Sequence, residues 1–201
     1  MTLDPFYPIL DNADWIERLV PLGIKLVQLR SKDLPKTETR EEIIRSRDIC
    51  AKHDCQLIVN DYWQIAIEEG CDYVHLGQED LDEADVAAIR AAGIRLGIST
   101  HDHAELTRAL DLNPDYVALG PVYPTILKKM KWTEQGLDRV TEWKKLVGDI
   151  PLVGIGGLSV DRAPGVLDAG ADIVSVVTDI TLNEDPEART REWINITRRA
   201  A

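Results

Sequence analysis

Two carboxylates follow short apolar runs of the chain and could bind a metal ion. Asp61 comes directly after the run at residues 57–59 and Asn60, and Asp80 stands four residues after the run at residues 73–76. Magnesium usually keeps several waters and binds one or two protein carboxylates together with substrate phosphates. Either residue alone could instead cap the helix that follows it. A magnesium site is therefore predicted only if the two positions converge in the fold.

Basic residues and glycines follow other apolar runs and are suited to phosphate groups. Arg30 and Lys32 stand at the end of the second run, and Lys128 follows the sixth. Guanidinium and ammonium groups bind phosphate oxygens well, although both are also common in solvated loops. Gly156 and Gly157 follow the seventh run, and glycines before a helix let backbone N–H groups approach a phosphate. These residues predict sites for anionic ligands in a chain whose formal net charge is −12.

The apolar runs alternate with amphipathic segments along the whole chain, which indicates repeated strand–helix units. The eight predicted strands cover Phe6–Leu10, Lys25–Arg30, Gln56–Asn60, Tyr73–Leu76, Arg95–Ser99, Tyr116–Leu119, Leu152–Ile155 and Ile173–Val177. The eight predicted helices lie near residues 13–21, 38–53, 62–69, 83–91, 102–111, 136–147, 160–168 and 186–199. Short apolar strands between helices are typical of a parallel sheet covered on both faces. The pattern predicts an α/β fold, a single (β/α)8 TIM-barrel domain over residues 1–201, with an open doubly wound sheet as the alternative.

A barrel of this kind builds its site at the carboxyl ends of its strands and in the loops after them. Cations follow strands two and six, carboxylates follow strands three and four, and the glycine pair follows strand seven. Chance would scatter such residues to both ends of the strands. The sequence therefore predicts a pocket for a metal-bound diphosphate and a second, monophosphorylated ligand.

Composition argues against several other classes of protein. The acidic excess and the lack of a long basic run argue against nucleic-acid binding. No apolar run approaches the roughly 20 residues of a membrane span, and the stretch "MTLDPFYPIL" lacks the regions of a signal peptide. The three cysteines show no C-x-x-C spacing. We therefore expect a cytoplasmic protein without a disulfide or zinc framework.

The histidines and two tryptophans are expected to have structural roles. His101 and His103 stand two residues apart near a helix start, which is a poor spacing for a metal site. His75 lies within a strand and is predicted to be a hydrogen-bonded core residue. Trp143 and Trp193 lie on amphipathic helices and are expected to pack against the barrel.

Six motifs along the chain carry a family resemblance. They read "VQLRSKD", "LIVNDYW", "VHLGQEDL", "LGISTHD", "YVALGPVYPT" and "VGIGGLS". In this order they resemble the motifs of thiamine phosphate synthases; "HLGQEDL" with "NDYW" is specific, whereas "GIGG" is not. The resemblance runs from "YPIL" to "SVVTDIT", nearly the whole chain. It implies a (β/α)8 transferase of thiamine biosynthesis that joins 4-amino-5-hydroxymethyl-2-methylpyrimidine diphosphate to a thiazole phosphate and releases diphosphate.

The resemblance also implies roles for the residues at matching positions. Asp61 and Asp80 would bind the Mg²⁺ cofactor. The pyrimidine diphosphate would be held by Gln28, Arg30, Lys32, Asn60, Ser99 and Lys128, of which Arg30, Lys32, Ser99 and Lys128 would be catalytic. The thiazole-phosphate contacts would come from Thr125, Leu127, Gly156, Gly157, Val177 and Thr178. The implied partners are these small molecules, with no nucleic acid and no membrane, and a homodimer is left open.

The chain departs from the family pattern after strand six. The family reads P-T-x-T-K there, and this chain has Leu127 in place of the second Thr. Losing one polar contact weakens binding by about 0.5–1.5 kcal/mol, so a non-catalytic phosphate-binding barrel is one alternative. The related thiazole tautomerase is another. Its catalytic His follows the glycine of strand six, where this chain has Pro121.

Overall fold

The strands form a closed parallel barrel. The computed structural model describes residues 3–32, 34–125 and 133–199. The strands pair in sequence order, and β8 pairs with β1. They are β1 Phe6–Leu10, β2 Leu26–Leu29, β3 Gln56–Asn60, β4 Tyr73–Leu76, β5 Arg95–Thr100, β6 Tyr116–Leu119, β7 Leu152–Ile155 and β8 Ile173–Val176. The predicted (β/α)8 architecture is confirmed, and the open doubly wound sheet is excluded.

Helices alternate with the strands and surround the barrel. Over the described ranges they are α1 Ala13–Leu19, α2 Lys36–Lys52, α3 Trp63–Glu68, α4 Val86–Ala91, α5 His103–Asp111, α6 Gly136–Val147, α7 Ala163–Asp168, α8 Thr178–Thr181 and α9 Pro186–Arg199. Short 3₁₀ helices cover Val20–Leu22 and Asp80–Asp82. Within the same ranges, no helix has the length and apolar character that crossing a bilayer requires.

The predicted strand ends lie within one residue of the observed ones, and the corrections concern mainly the helices. The helix predicted near residues 83–91 begins only at Val86, because Asp85 caps it by accepting a hydrogen bond from Ala88 N–H at 2.9 Å. The helix predicted from residue 160 begins at Ala163. Helix α8 was missed, and it begins at Thr178, directly after the predicted end of β8. A single turn of four residues is too short to show helical periodicity.

Two apolar layers stabilise the fold. Inward-facing side chains fill the barrel itself: Tyr7, Leu26, Ile58, Tyr73, Tyr116, Ala118, Val153 and Ile173. A larger layer lies between the strands and the helices and includes Trp143 and Trp193, both fully buried. The expected packing of these two tryptophans is thus confirmed. Because its interior is filled, the barrel can hold a ligand only at its mouth.

Candidate active site

Asp61 and Asp80 lie together at the carboxyl ends of β3 and β4. Their carboxyl groups are within hydrogen-bonding reach of each other, and Lys32 Nζ lies 3.7 Å from Asp61 Oδ2. Burial, and next the Asp80 carboxylate, raise the pKa of Asp61 to about 6, against the opposing effects of Lys32 and Arg30. The two positions therefore converge, as the magnesium prediction requires.

Neither carboxylate caps the helix that follows it, so the capping alternative is wrong for both. Tyr62 precedes α3 without a side-chain capping bond, and Asp85 caps α4. Asp61 has a left-handed backbone with φ 64°. Asp80 does have a local role, since its Oδ2 accepts a hydrogen bond from Gly77 N–H at 2.9 Å.

The carboxylate pair has the chemistry of a magnesium ligand set. Two adjacent carboxylates with little competing hydrogen bonding concentrate negative charge, which a divalent cation neutralises. No group of three or more His, Cys, Asp and Glu side chains in the described part of the chain could enclose a metal ion. A cation held by two carboxylates takes its other ligands from water and from substrate phosphates, which is the usual arrangement for Mg²⁺.

A cavity of about 630 Å³ opens at this mouth of the barrel. The predicted site residues among its lining are Arg30, Ser99, Thr125, Gly156, Gly157, Val177 and Thr178. Arg30 lines the cavity and also lies close enough to Asp61 for its positive charge to oppose the rise in the pKa of that carboxyl. It therefore links the cavity to the carboxylate pair. A second cavity of about 520 Å³, lined by residues such as Cys55 and Arg95 where β3 and β5 begin, contains none of the predicted residues.

The residues that line this cavity do not include Gln28, Asn60, Lys32, Asp61 or Asp80. Gln28 and Asn60 are buried, with 1% and 5% exposure, and Gln28 precedes Arg30 by two positions on the same face of the chain. Lys32 is about half exposed beside Asp61. The predictions for Leu127 and Lys128 fall outside the described residues, so the placement of both stays a prediction.

A chain of hydrogen bonds crosses the barrel interior from Gln28 to Ser99. Gln28 Nε2 donates to the Tyr7 hydroxyl at 2.7 Å, which lies 2.9 Å from the Tyr116 hydroxyl. His75 Nδ1 lies 2.7 Å from Tyr116 Oη, and His75 Nε2 lies 2.8 Å from Ser99 Oγ. Burial is the main cause that lowers the pKa of His75 to about 4. The prediction of a hydrogen-bonded core histidine is confirmed.

The two glycines after β7 permit a close backbone approach. Gly156 and Gly157 have φ values of 96° and 65°, and a Cβ on Gly157 would lie 2.3 Å from the Pro124 carbonyl oxygen. Tyr123 N–H donates to the Gly156 carbonyl at 3.0 Å. The glycines are therefore needed to pack the loop after β7 against the loop after β6, in addition to any role toward a ligand.

Sequence reasoning missed several residues of this site. His101 lines the cavity, with Nδ1 2.7 Å from Glu105 Oε2, whereas the exposed His103 bonds to Glu142 and packs on the buried Trp143 outside the cavity. Ser175 lines the cavity too, and its buried hydroxyl has no hydrogen-bond partner among the described residues. The alternation of side chains along β8 could have found Ser175, two positions before Val177.

Comparison with known proteins relates the chain to one family. Residues 7–180 match the sequence profile described as thiamine monophosphate synthase. The thiamine-phosphate synthase of Rhizobium etli is 64% identical over 197 residues, which are 98% of this chain and 97% of that protein. The thiamine-phosphate synthase of Neisseria meningitidis is 47% identical over 183 residues, 91% of this chain and 89% of that protein.

Structural similarity points the same way. The thiamine phosphate pyrophosphorylase from Pyrococcus furiosus has a TM-score of 0.86 at 26% identity, covering 97% of this chain and 96% of that one. A 3-hexulose-6-phosphate synthase, with a TM-score of 0.71 at 17% identity over 96% of this chain and 99% of that one, shares the fold alone. With a profile match over most of its length and relatives of this identity, the chain belongs to the thiamine monophosphate synthase family.

Proposed function

We propose that this chain joins 4-amino-5-hydroxymethyl-2-methylpyrimidine diphosphate to 4-methyl-5-(2-phosphoethyl)thiazole, or to its 2-carboxy form, by a Mg²⁺-assisted dissociative reaction. Its family membership makes it an enzyme that forms thiamine phosphate. One observation carries the finer proposal. Asp61 and Asp80 converge beside Lys32 and close to Arg30, and Arg30 lines a cavity whose wall also contains the glycine turn after β7.

The first half of the proposed site holds the leaving group. Arg30 and Lys32 stand beside the carboxylate pair and would bind diphosphate oxygens, with Lys128 added by the resemblance. Bound to Asp61 and Asp80, Mg²⁺ would supply charge neutralisation on the departing diphosphate. Without such neutralisation, the two carboxylates would repel the anionic substrate that the neighbouring cations attract.

The second half positions the reacting carbon and its acceptor. The C–O bond to the diphosphate breaks, and its electron pair leaves with the oxygen. The resulting pyrimidine-stabilised cation is captured by the lone pair of the thiazole nitrogen, which forms the new C–N bond. That nitrogen carries no proton, so the addition requires no general base. With the 2-carboxy acceptor, the bond from C2 to the carboxylate then breaks, CO₂ leaves, and C2 takes a proton from water. Gln28, Asn60 and Ser99 would orient the pyrimidine, and correct placement of the acceptor supplies the rate.

The thiazole phosphate would bind at the cavity wall that contains the glycine turn after β7. Gly156, Gly157, Val177 and Thr178 line that wall together with Thr125, and Leu127 belongs to the same assignment by resemblance. Thr178 offers a hydroxyl for the phosphate.

Three buried free cysteines, Cys50, Cys55 and Cys71, support a cytoplasmic location for a single-domain enzyme that acts on small molecules.

Steady-state kinetics with each substrate varied in turn test this division of the site. Asp61→Asn and Asp80→Asn should reduce turnover about 100-fold or more, because each removes charge stabilisation from the leaving group. Thr178→Val should raise KM for the thiazole phosphate up to about tenfold, which is the effect of one lost hydrogen bond. KM for the pyrimidine diphosphate should stay unchanged in this variant.

Asp54→Asn is the matched control for the carboxylate variants. Asp54 is exposed, has a left-handed backbone like Asp61, and pairs with Lys25 outside the cavity. This variant should keep wild-type kinetics. Wild-type rates in both Asp61→Asn and Asp80→Asn would overturn the metal assignment and the proposed role of this mouth of the barrel.

A further inference from the structure

The buried hydrogen-bond chain from Gln28 to Ser99 has a fixed order of donors and acceptors, and Gln28 sets that order. The amide nitrogen of Gln28 can only donate, so the Tyr7 hydroxyl accepts from it. The hydrogen of Tyr7 then has one acceptor within the chain, the Tyr116 hydroxyl. Tyr7 and Tyr116 are 2% and 0% exposed, and buried hydroxyl hydrogens are almost always bonded.

The same assignment of hydrogen-bond donors and acceptors fixes the tautomer of His75. The Tyr116 hydroxyl accepts from Tyr7, so its own hydrogen goes to His75 Nδ1, 2.7 Å away. A neutral imidazole with an accepting Nδ1 carries its hydrogen on Nε2. Nε2 therefore donates to Ser99 Oγ at 2.8 Å. A doubly protonated ring would leave the hydrogen of Tyr116 without an acceptor inside the barrel.

The fold makes space for this arrangement at one position. Gly97 on β5 lies beside Tyr116, and a Cβ there would stand 2.1 Å from Tyr116 Cζ. The missing side chain lets the Tyr116 ring cross the barrel and stack on His75, with ring centres 5.6 Å apart and planes 14° apart. Ring packing therefore holds Tyr116 and His75 in the hydrogen-bond chain in addition to the hydrogen bonds themselves.

Because Ser99 Oγ accepts from His75, its own hydrogen is free for an acceptor in the cavity. Ser99 lines that cavity, and Gln78 Nε2 fixes its backbone by donating to the Ser99 carbonyl at 2.7 Å. Arg30 and Lys32 follow β2, which is three strands away from Ser99 on β5 in the closed barrel. Apolar Ile9, Pro121 and Ile155 line the same cavity, which suits an aromatic ring.

We propose that the Tyr7–Tyr116–His75 chain fixes Ser99 as a hydrogen-bond donor to a ring nitrogen of the bound pyrimidine. This inference rests on the proposed function for the identity of the ligand. Tyr7, Tyr116 and His75 are then positioning residues that set specificity through Ser99. The site selects a heteroaromatic ring with an acceptor nitrogen at this position over one that has C–H or N–H there.

The tautomer of His75 tests the buried half of the inference without any substrate. Long-range ¹⁵N–¹H correlation spectra of the full-length protein distinguish protonated from unprotonated ring nitrogens, and His75→Gln identifies the His75 signals. The expected result is a hydrogen on Nε2 and none on Nδ1. A hydrogen on Nδ1 would reverse the whole chain, make Ser99 an acceptor, and overturn the proposal.

Substrate analogues test the ligand half. We would compare the natural pyrimidine diphosphate with two analogues in which one ring nitrogen is replaced by C–H. For wild type, kcat/KM should fall about tenfold for one of the two analogues, the equivalent of one hydrogen bond. In Tyr116→Phe the two neutral His75 tautomers become comparable, so this discrimination should shrink at least threefold.

Tyr73→Phe is the matched control, because Tyr73 is equally buried beside Tyr116 but its hydroxyl has no part in the chain. It should keep the wild-type discrimination. Equal discrimination in wild type and Tyr116→Phe would overturn the role of the chain. Absence of turnover with the natural substrates would instead overturn the proposed function, while the tautomer would still decide the direction of the chain.

Discussion

At the scale of single residues, Asp61 is held in an unfavourable charge state. Its carboxylate is partly buried next to Asp80, and the positive charges of Lys32 and Arg30 offset this only in part. Binding sites commonly retain such destabilising charges because a ligand needs them. The metal-free protein should therefore become more stable when this charge is removed.

Asp61→Asn tests that expectation directly. The variant should raise the free energy of unfolding of the metal-free protein at pH 7 by on the order of 1–3 kcal/mol, since the pKa of Asp61 is raised to about 6. The gap should narrow as the pH falls below 6, where Asp61 becomes protonated in the folded state, and close below 3.8, where it is protonated in the unfolded state as well. Urea unfolding measures both effects.

Asp54→Asn controls for the preference of Asn for a left-handed backbone, since φ is 51° at Asp54 and 64° at Asp61. Its side chain is 89% exposed. Equal stabilisation by both variants would mean that backbone preference, and not charge, explains the effect.

His75 gives the protein a separate dependence on pH. Burial lowers its folded-state pKa to about 4 from 6.5, so between these values the unfolded state binds more protons. Stability from this residue is complete above pH 6.5 and is lost as the pH falls towards 4. At pH 5 the loss should be about 2 kcal/mol relative to pH 7.5. Urea unfolding at the two pH values should show that wild type loses about this much more stability than His75→Gln, because the opposite effect of Asp61 is common to both proteins.

Ser99→Ala is the control for the pH experiment. It breaks the same hydrogen-bond chain but keeps the buried imidazole, so the pH-dependent loss should remain. If His75→Gln lost as much stability at pH 5 as wild type, protonation of His75 would not contribute.

The polar residues at the strand ends could each be predicted from the sequence, whereas the hydrogen-bond chain from Gln28 to Ser99 could not. Asp61 and Asp80 follow apolar runs, and the barrel rule brings such positions together. Tyr116 stands at the start of β6, where sequence reasoning does not look for site residues. Its contact with His75 depends on the length of its ring and on the space above Gly97, and neither is a local sequence pattern.

At the scale of elements, the loops after β6 and β7 support each other. Val122 N–H donates to the Ile155 carbonyl at 2.8 Å, and Tyr123 N–H donates to the Gly156 carbonyl. This pairing orders the segment up to Thr125 and the glycine turn as one wall of the cavity. A change in either loop should therefore affect the thiazole-phosphate side of the site.

Gly157→Ala should disturb that wall, and Gly70→Ala is its matched control. Both glycines have nearly the same φ, 65° and 66°, but a Cβ on Gly157 meets the Pro124 carbonyl at 2.3 Å, whereas one on Gly70 meets nothing within 4 Å. Gly157→Ala should cost about 1–3 kcal/mol more than Gly70→Ala because of this overlap. Urea unfolding gives the difference in stability.

The same pair should differ in kinetics. We expect KM for the thiazole phosphate to rise in Gly157→Ala and to stay at the wild-type value in Gly70→Ala. Equal stability losses and unchanged kinetics in both variants would contradict the role of close packing at Gly157.

Strands were easier to predict than helix starts for a physical reason. A buried parallel strand is a continuous apolar run that ends abruptly, and β4, β6 and β7 have the predicted bounds. The start of α4 depends on a capping side chain. Sequence alone did not show that Asp85 caps α4 while Asp80 turns back to Gly77.

At the scale of the whole molecule, the two ends of the described chain meet and close the barrel. β1 pairs with β8, and Trp193 of α9 stacks on Phe6 of β1 with ring centres 5.7 Å apart. Trp193 Nε1 also donates to Asp179 Oδ2 of α8 at 2.8 Å. The last helix therefore links the first strand to the short helix that lines the cavity.

Trp193→Phe tests this link. The smaller ring keeps an aromatic contact with Phe6 but removes the hydrogen bond to Asp179, which should cost about 1–3 kcal/mol because Asp179 loses a largely buried partner. KM for the thiazole phosphate should rise, since α8 loses its hydrogen bond to Trp193 and keeps only the longer ion pair between Asp179 and Arg189. Trp63→Phe, on the partly exposed α3, serves as the control. Equal effects of the two variants on KM would contradict a link through α9.

The central claim is that one site couples departure of diphosphate to formation of thiamine phosphate with the help of Mg²⁺. Phosphorus NMR of a single reaction, with the purified protein, both substrates and Mg²⁺, follows all phosphorylated species at once. We predict one thiamine phosphate for each diphosphate released, only when both substrates are present, with loss of turnover on chelation and recovery with excess Mg²⁺. Conversion of the thiazole phosphate without diphosphate release, or binding of both substrates without product, would contradict the account.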